Sequence, residues 1–442
     1  MACEKDQKEL PENLRTMTHP HKESLSLIKE LQWLQLKKQL LYLQLHSPFY
    51  KKMFARENID LSTIHSLSDF RKLPITTKED LQEYNEEFIS VPREEIIDYV
   101  TTSGTLGKPV SLALNNADLD RLTNNELESF KMAGVQKEDV VQITTTLDRR
   151  FMAGLAYFLG LRKLGAGIVR TGSGLPQLQW DSIERFKPKY IVAVPSFLLK
   201  MVEYAQQNSI DYKNSSVKAA ICIGEPVRTI EYKLNTLGER IRELWDIEIF
   251  STYASTEMAT AFTECEFHSG NHAQPELIFS EILDQEGMHV IPGEIGELVI
   301  TTLQMQTMPL LRFATGDMLT YTEKPCSCGR NTMRLSPVVG RRQQMIKLKG
   351  TSLYPQSIIE VLNEVKEIDI FVIEARRGEL GTDAVTVKIP HTVTLDQIKI
   401  LTGQFKSKLQ VTPEIELVGR GEIESLLFPG ESRKPQVFRD FR

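Results

Sequence analysis

From about residue 99 to residue 303 the chain alternates short apolar runs with segments of helical period. The runs at 140–144, 190–194, 219–223 and 248–251 hold four or five residues and include β-branched side chains. Runs this short, without regular polar alternation, are strands buried on both faces. Amphipathic stretches at 180–186 and 196–207 lie between them. That succession dictates an α/β sheet with helices packed on it, and it excludes an all-helical bundle or an all-β sandwich.

Two flanking regions differ. On the N-terminal side, 24–45 reads as one long amphipathic helix, stopped by Ser47-Pro48. A second helix is expected after Thr77, capped by that residue with Asp80 three positions on. Beyond Gly340 the pattern restarts on a smaller scale, with a helix expected at 354–365, strands at 369–375 and 384–389, a helix at 395–409 and a strand at 414–418. About 100 residues suffice for a separate α+β domain. The expected division is therefore 1–340 and 341–442.

Composition narrows the function. With 53 lysines and arginines against 59 acidic residues, the net charge is −6. That excludes a polybasic nucleic-acid-binding surface, so no nucleic-acid partner is expected. No apolar run approaches the ~18 residues of a membrane span, so no membrane partner is expected. The start, MACEKDQKEL, is charged from Glu4 and lacks an apolar signal segment, so the expected location is cytoplasmic. Five cysteines in such a setting are not a disulfide framework.

The segment YVTTSGTLGKP at 99–109 is the richest in chemistry. Gly104 and Gly107 would let backbone N–H groups approach phosphate oxygens, while Ser103, Thr105 and Lys108 add donors and charge. A plain Ser/Gly hairpin is the alternative. The spacing is not that of a Walker A loop, and the following residues read as strand rather than helix. Gly224-Glu225-Pro226 and the run Ser251 to Glu257 each end an apolar strand, where open α/β sheets bind ligands. LRFATGD at 311–317 follows a break at Pro309, and Arg341 sits at the domain boundary.

Together with SPFY at 47–50, LPITTKED at 73–80, VPRE at 91–94 and VPSF at 194–197, these motifs resemble the adenylate-forming enzymes of the acyl-CoA synthetase superfamily, and most nearly their phenylacetate–CoA ligase group. The resemblance runs nearly end to end. It implies a large N-terminal multi-layer α/β domain of the adenylate-forming type and a small mobile α+β C-terminal lid. It implies an AMP-forming acid–thiol ligase, in which a carboxylic acid and Mg·ATP give acyl-AMP and pyrophosphate, and CoA then displaces AMP. The acid implied is an aryl or arylacetic one. The resemblance assigns Ser103 to Lys108 to the β- and γ-phosphates. Gly224, Glu225, Pro226 and Tyr253, Ala254, Ser255, Thr256 enclose the adenine and α-phosphate. Glu257 binds Mg²⁺, Asp317 the ribose, and Arg341 helps hold the nucleotide. Phe151 and Gly154 belong to the acyl pocket. In the C-terminal run ESRKPQVFRDFR, Lys434 is followed at the family spacing by Asp440 and Arg442. Lys434 is the implied catalytic lysine, a point cation that offsets the repulsion between carboxylate and α-phosphate.

Cys326 and Cys328 form a C-x-C pair, with Cys265, His268 and His272 upstream. Three thiols and one imidazole suit tetrahedral Zn²⁺ in a closed structural site. Cys265, His272, Cys326 and Cys328 are the expected ligands, with His268 the alternative to His272. Three free thiols are the other reading. Some ligases of the resembled group carry a similar set. Cys222, inside an apolar run, is expected in the core. The sequence departs from the family at Leu106, where threonine is usual, and at Gln343 and Gln344, where aspartates are usual. These departures keep two other readings open, an adenylate former with a carrier thiol or cofactor hydroxyl as acceptor, and a degenerate nucleotide-binding regulatory homologue. A homodimer is permitted.

Overall fold

A computed structural model describes residues 20–102, 110–349, 351–365, 367–378, 383–428 and 435–442. Contacts divide the chain into two units. The first gathers the described residues of Met1–Lys233, Gly238–Thr315 and Thr320–Pro337. The second gathers those of Leu234–Leu237, Gly316–Leu319 and Val338–Arg442.

The first unit opens with α1 (Leu25–His46), whose N-cap Ser24 accepts from Leu27 N. Ser47 ends it and caps α2 (Pro48–Arg56), with Pro48 in the first turn, where its missing N–H costs nothing. The short α3 (Lys78–Glu83) carries the full capping box of Thr77 and Asp80. An antiparallel hairpin follows, β1 (Asp98–Thr101) with β2 (Ser111–Leu114). Next comes α4 (Asn116–Met132), capped reciprocally by Asn115 and Asp118.

A parallel array is then laid down by β3 (Val140–Ile143), α5 (Met152–Leu164), β4 (Gly167–Arg170), α6 (Pro176–Phe186), β5 (Tyr190–Ala193), α7 (Pro195–Gln207), β6 (Ala219–Cys222) and β7 (Glu248–Ser255). Antiparallel strands β8 (Thr260–Thr263), β9 (Asn271–His272), β13 (Tyr321–Thr322) and β14 (Arg334–Leu335) extend the same sheet. Its order is β13-β14-β9-β8-β7-β6-β5-β3-β4. Tyr190, Val192, Ala219, Ile221 and Phe250 cluster with Phe130, Tyr157 and Leu161 of α4 and α5. The intervening Ile191, Ala193, Ala220 and Cys222 are buried as well. Both faces are covered, which is why these strands lack polar alternation.

One element runs longer than the sequence suggests. The 251–257 segment was expected to lie beyond a strand, but β7 continues to Ser255 by changing partner. It is parallel to β6 through Ser251, then antiparallel to β8 from Thr252 to Ser255. In the same unit β10 (Ile278–Leu283) pairs antiparallel with β11 (Gly296–Thr302). The chain passes from the first unit to the second along β12 (Phe313–Leu319).

In the second unit the last residues of β12 pair with β15 (Gly340–Arg341). A hairpin of β16 (Ile346–Leu348) and β17 (Thr351–Leu353) leads to α8 (Pro355–Asn363). Then follow β18 (Val372–Arg377), β19 (Asp383–Pro390), α9 (Leu395–Leu409), β20 (Glu414–Val418), α10 (Arg420–Leu427) and β21 (Phe438–Asp440). The sheet order is β20-β19-β18-β21. Ile358, Leu362, Ile373, Val387, Leu401 and Phe405 form its core. β18 begins three residues later than expected, because Ile368 N still bonds back to Val365 O in the turn that leaves the helix. No helix among the described residues is long and apolar enough to cross a membrane.

Candidate nucleotide and acyl site

The register of the central sheet sets the ends of neighbouring strands side by side. Ile143 lies beside Val192, Ala193 beside Cys222, and Cys222 beside Ser251. The segments that leave β3, β5, β6 and β7 therefore emerge at one edge, the carboxyl edge. These are 144–154, 194–197, 224–226 and, beyond the parallel part of β7, 252–257. The edge is the place where open α/β sheets take their ligands.

Each segment is fixed locally. Gly224 has φ 77°, a left-handed conformation that favours glycine over residues with a Cβ. The next residue, Glu225, receives hydrogen bonds from Ser196 N and Ser196 Oγ, both at 2.9 Å. Its carboxylate thus sits at the N-terminus of α7, where the helix dipole favours negative charge. Glu225 therefore braces one segment against the next. Tyr253 stacks near Phe262, its partner across the β7–β8 ladder, with ring centroids 5.9 Å apart. Ser255 Oγ accepts from Met258 N, and Thr256 O accepts from Ala259 N, closing the turn that carries Glu257.

Glu257 is only 8% exposed, and Lys78 Nζ donates to its Oε1 at 3.1 Å. Lys78 is the first residue of α3 and lies 179 positions away in sequence. The sequence reading assigned it no role. The signal was present, since Lys78 belongs to the LPITTKED motif, but nothing local links that motif to Glu257. A carboxylate oxygen is the donor type that Mg²⁺ takes beside phosphate oxygens and water. The donor chemistry at Glu257 therefore fits that ion.

The 144–154 segment is tightly folded. Arg149 and Arg150 have φ 57° and 58°, and Arg150 O accepts from Thr101 N at 3.0 Å. Phe151 is half-buried at the N-cap of α5. A Cβ on Gly154 would lie 1.9 Å from Thr146 O, so glycine is required there by the close approach of the helix to the loop. Thr146, Arg149, Arg170 and Ser173 line an open cleft of about 390 Å³ on this segment.

Asp317 and Arg341 belong to the second unit and pair with each other across β12 and β15, Arg341 Nε to Asp317 Oδ1 at 3.2 Å. At the C-terminus Arg442 binds Asp440, Asp383, Met345 O and Gln343 O. Those contacts anchor the chain end to the 343–345 turn. Ser103, Gly104, Thr105, Leu106, Gly107, Lys108 and Lys434 lie outside the described residues.

A second cluster joins segments after β8, on β9 and after β13. The ligating atoms of Cys265, His272, Cys326 and Cys328 all lie within 4.8 Å of one another. Cys265 Sγ and Cys326 Sγ are 3.7 Å apart, and Cys328 Sγ is 3.6 Å from His272 Nε2. A tetrahedron with Zn–S bonds of ~2.3 Å has edges of roughly 3.8 Å, so the spacing suits that ion and not a disulfide. Thr332 Oγ1 engages His272 Nδ1 at 3.0 Å, leaving Nε2 toward the thiols. Burial lowers the His272 pKa to about 3, which keeps the imidazole neutral and able to ligate. Burial opposes ionisation of Cys328 too, but hydrogen bonds from Arg330 and the neighbouring thiols outweigh it and lower that pKa. His268 stands apart, held between Glu264 and Glu248 at 3.1 and 3.2 Å.

Comparison with known proteins agrees with this architecture. The AMP-binding enzyme family matches residues 49–308. The phenylacetate-coenzyme A ligase of Thermus thermophilus is 28% identical over 382 residues, 84% of each chain. That of Escherichia coli is 26% identical over 415 residues, 90% of this chain and 93% of the other. Among solved structures, a 2-hydroxyisobutyryl-CoA ligase in its postadenylation state superposes with a TM-score of 0.82 at 23% identity, over 99% of this chain and 95% of that one, which shows the shared fold. With the family match spanning more than half of its length and the 194–197, 224–226 and 252–257 motifs at the carboxyl edge of an α/β sheet, this chain belongs to the AMP-binding enzyme family as a phenylacetate–CoA ligase-like adenylate-forming enzyme.

Proposed function

We propose that the protein is an ATP-dependent carboxylate–CoA ligase acting through an acyl-adenylate. The acid's carboxylate attacks the α-phosphorus of ATP, and pyrophosphate leaves. The CoA thiol, giving up its proton, then attacks the acyl carbonyl, and AMP leaves. The observation that carries this reading is the convergence of 144–154, 194–197, 224–226 and 252–257 at the ends of adjacent strands. In this reading 224–226 and 253–256 enclose the adenine and α-phosphate, and Ser103 to Lys108 hold the outer phosphates. Asp317 takes the ribose and Arg341 assists. Glu257 would hold Mg²⁺, which supplies neutralising charge to the phosphates. Residues 1–340 form the nucleotide and acyl domain, and 341–442 form a lid that brings Lys434 to the carboxylate and α-phosphate. The acid we assign is aryl or arylacetic, with Phe151 as an apolar wall. The setting we assign is the cytoplasm.

Carboxylate-dependent ATP–pyrophosphate exchange tests the reading, using phenylacetate, benzoates, hydroxycinnamates and short fatty acids, with and without CoA. Exchange with an aryl acid, and stoichiometric AMP release only with CoA, is the expected result. Tight ATP binding with no exchange for any acid would overturn it.

We assign a structural Zn²⁺ to Cys265, His272, Cys326 and Cys328. Four protein ligands leave no open position for substrate. Metal analysis of the purified protein is expected to give about one zinc per chain. Cys326→Ser is expected to lose the zinc and lower the unfolding temperature. Zinc-free protein with an unchanged unfolding temperature would argue for three reduced thiols instead.

A further inference from the structure

Helix α4 contributes no residue to the motifs discussed so far, yet its buried polar side chains reach the turn that carries Glu257. Arg121 is 4% exposed. Its Nη1 donates to Ala259 O at 2.6 Å, its Nη2 to Thr260 Oγ1 at 2.9 Å and to Leu277 O, and its Nε to Leu303 O at 2.7 Å. One helical turn on, Asn125 Oδ1 accepts from Ala261 N at 2.8 Å, and Asn125 Nδ2 donates to Ala261 O at 3.2 Å. Asp118 and Glu276 lie near enough to supply negative charge for Arg121.

Two features make this more than core packing. Ala259 stands at φ 43°, a conformation that L side chains rarely adopt and that persists where the surroundings over-determine it. The Arg121 fork holds the carbonyl of that residue and the hydroxyl of the next one, two and three positions beyond Glu257. A planar guanidinium reaches four acceptors on three chain segments at once, and an ammonium group does not.

We propose that Arg121, with Asn125 beside it, is a positioning residue for Glu257. It fixes the 256–260 turn so that the carboxylate meets the divalent cation carried by ATP, and it thereby sets cation affinity in the nucleotide complex. The proposal rests on the reading of Glu257 as the Mg²⁺ ligand. Residues that orient a metal ligand are typically worth 10–100-fold in metal affinity.

The test uses full-length protein and Mn²⁺ as the probe. Free Mn²⁺ is followed by electron paramagnetic resonance during titration in the presence of ATP. ATP affinity in EDTA and the thermal unfolding midpoint are measured alongside. Arg121→Lys keeps the charge and loses the fork. It is expected to weaken Mn²⁺ retention about ten-fold while ATP affinity in EDTA stays within about two-fold. Trp180→Phe is the stability control. Trp180 is buried on α6, and its Nε1 donates to Met201 O at 2.8 Å rather than to the turn. The variant is expected to lower the midpoint without moving the Mn²⁺ curve. If Arg121→Lys behaves like Trp180→Phe, Arg121 is structural and the proposal fails. If Arg121→Lys does not fold, Asn125→Ser is read in the same way, with a smaller shift expected and an unmoved curve overturning the proposal. Glu257→Gln separates the two layers. An unmoved Mn²⁺ curve in that variant sinks the metal assignment itself, whereas a large shift there with none in Arg121→Lys sinks only the positioning role.

Discussion

Two glutamates in the first unit are almost equally shut off from water, and their surroundings differ. Glu257 is 8% exposed at the carboxyl edge of the sheet, paired with Lys78. Glu126 is 5% exposed on α4, facing a small cavity of about 10 Å³ lined by Ser129, Phe130, Tyr157, Thr252 and Thr263. The hydroxyls of Thr252 and Thr263 have no hydrogen-bond partner among the described residues, and the space is about that of one water. Burial raises the Glu126 pKa to about 8, so it is a neutral acid at physiological pH. α5 closes over it at Gly160, where a Cβ would lie 2.5 Å from Glu126 Cβ. Burial alone therefore does not separate the carboxylate proposed to hold Mg²⁺ from one of the scaffold. What separates the two is position on the sheet and a cation within reach. Glu257 has both, and Glu126 is sealed scaffold beneath the same strand β7.

That contrast can be broken in three places. The largest effect is expected for Glu257→Gln, with pyrophosphate exchange falling about 10²–10³-fold, a loss typical of removing one charge-stabilising contact. A variant with normal exchange would place Glu257 with the scaffold. Next comes Glu126→Gln, read as stability against pH. Folded wild type keeps the proton up to about pH 8, whereas the unfolded chain releases it near the ordinary value of 4.5. Wild-type stability from this group is therefore full below about pH 4.5 and is lost as pH rises through about 8. Glu126→Gln should escape that loss and gain on wild type steadily as pH rises toward 8, with exchange activity retained. Parallel stability curves for the two proteins would refute the assignment of a neutral acid. The smallest effect is expected for Lys78→Gln. It removes the cation beside Glu257, and the KM for ATP at saturating Mg²⁺ should rise about ten-fold, in line with one charge-assisted hydrogen bond. An unchanged KM would make Lys78 a surface residue that happens to touch Glu257.

The legible parts of this molecule are short-range. The central strands were readable at 190–194 and 219–223 because burial on both faces leaves a run with no polar alternation. The helix Leu395–Leu409 was readable to the residue, since Thr394 and Gln397 form a capping box. Cys222 was readable as core for the same local reason, and it is 1% exposed. The β7 strand was misjudged after Ser251 because the switch from a parallel to an antiparallel partner is a property of β8, not of the residues in β7.

The site divides along the same line. By itself the sequence determined the alternating architecture, the motif positions of Glu225 and Glu257, and the Cys326/Cys328 pair, each carried by residues close to one another along the chain. Only the tertiary structure decided that Ser196 braces Glu225, that Lys78 meets Glu257 across 179 positions, that Arg121 grips the turn beneath it, and that His272 rather than His268 faces the thiols. The physical reason is that burial patterns and helix caps are written in neighbouring residues, whereas a charge pair or a ligand cluster is made by strand register and helix packing, which bring together segments that carry no mark of each other.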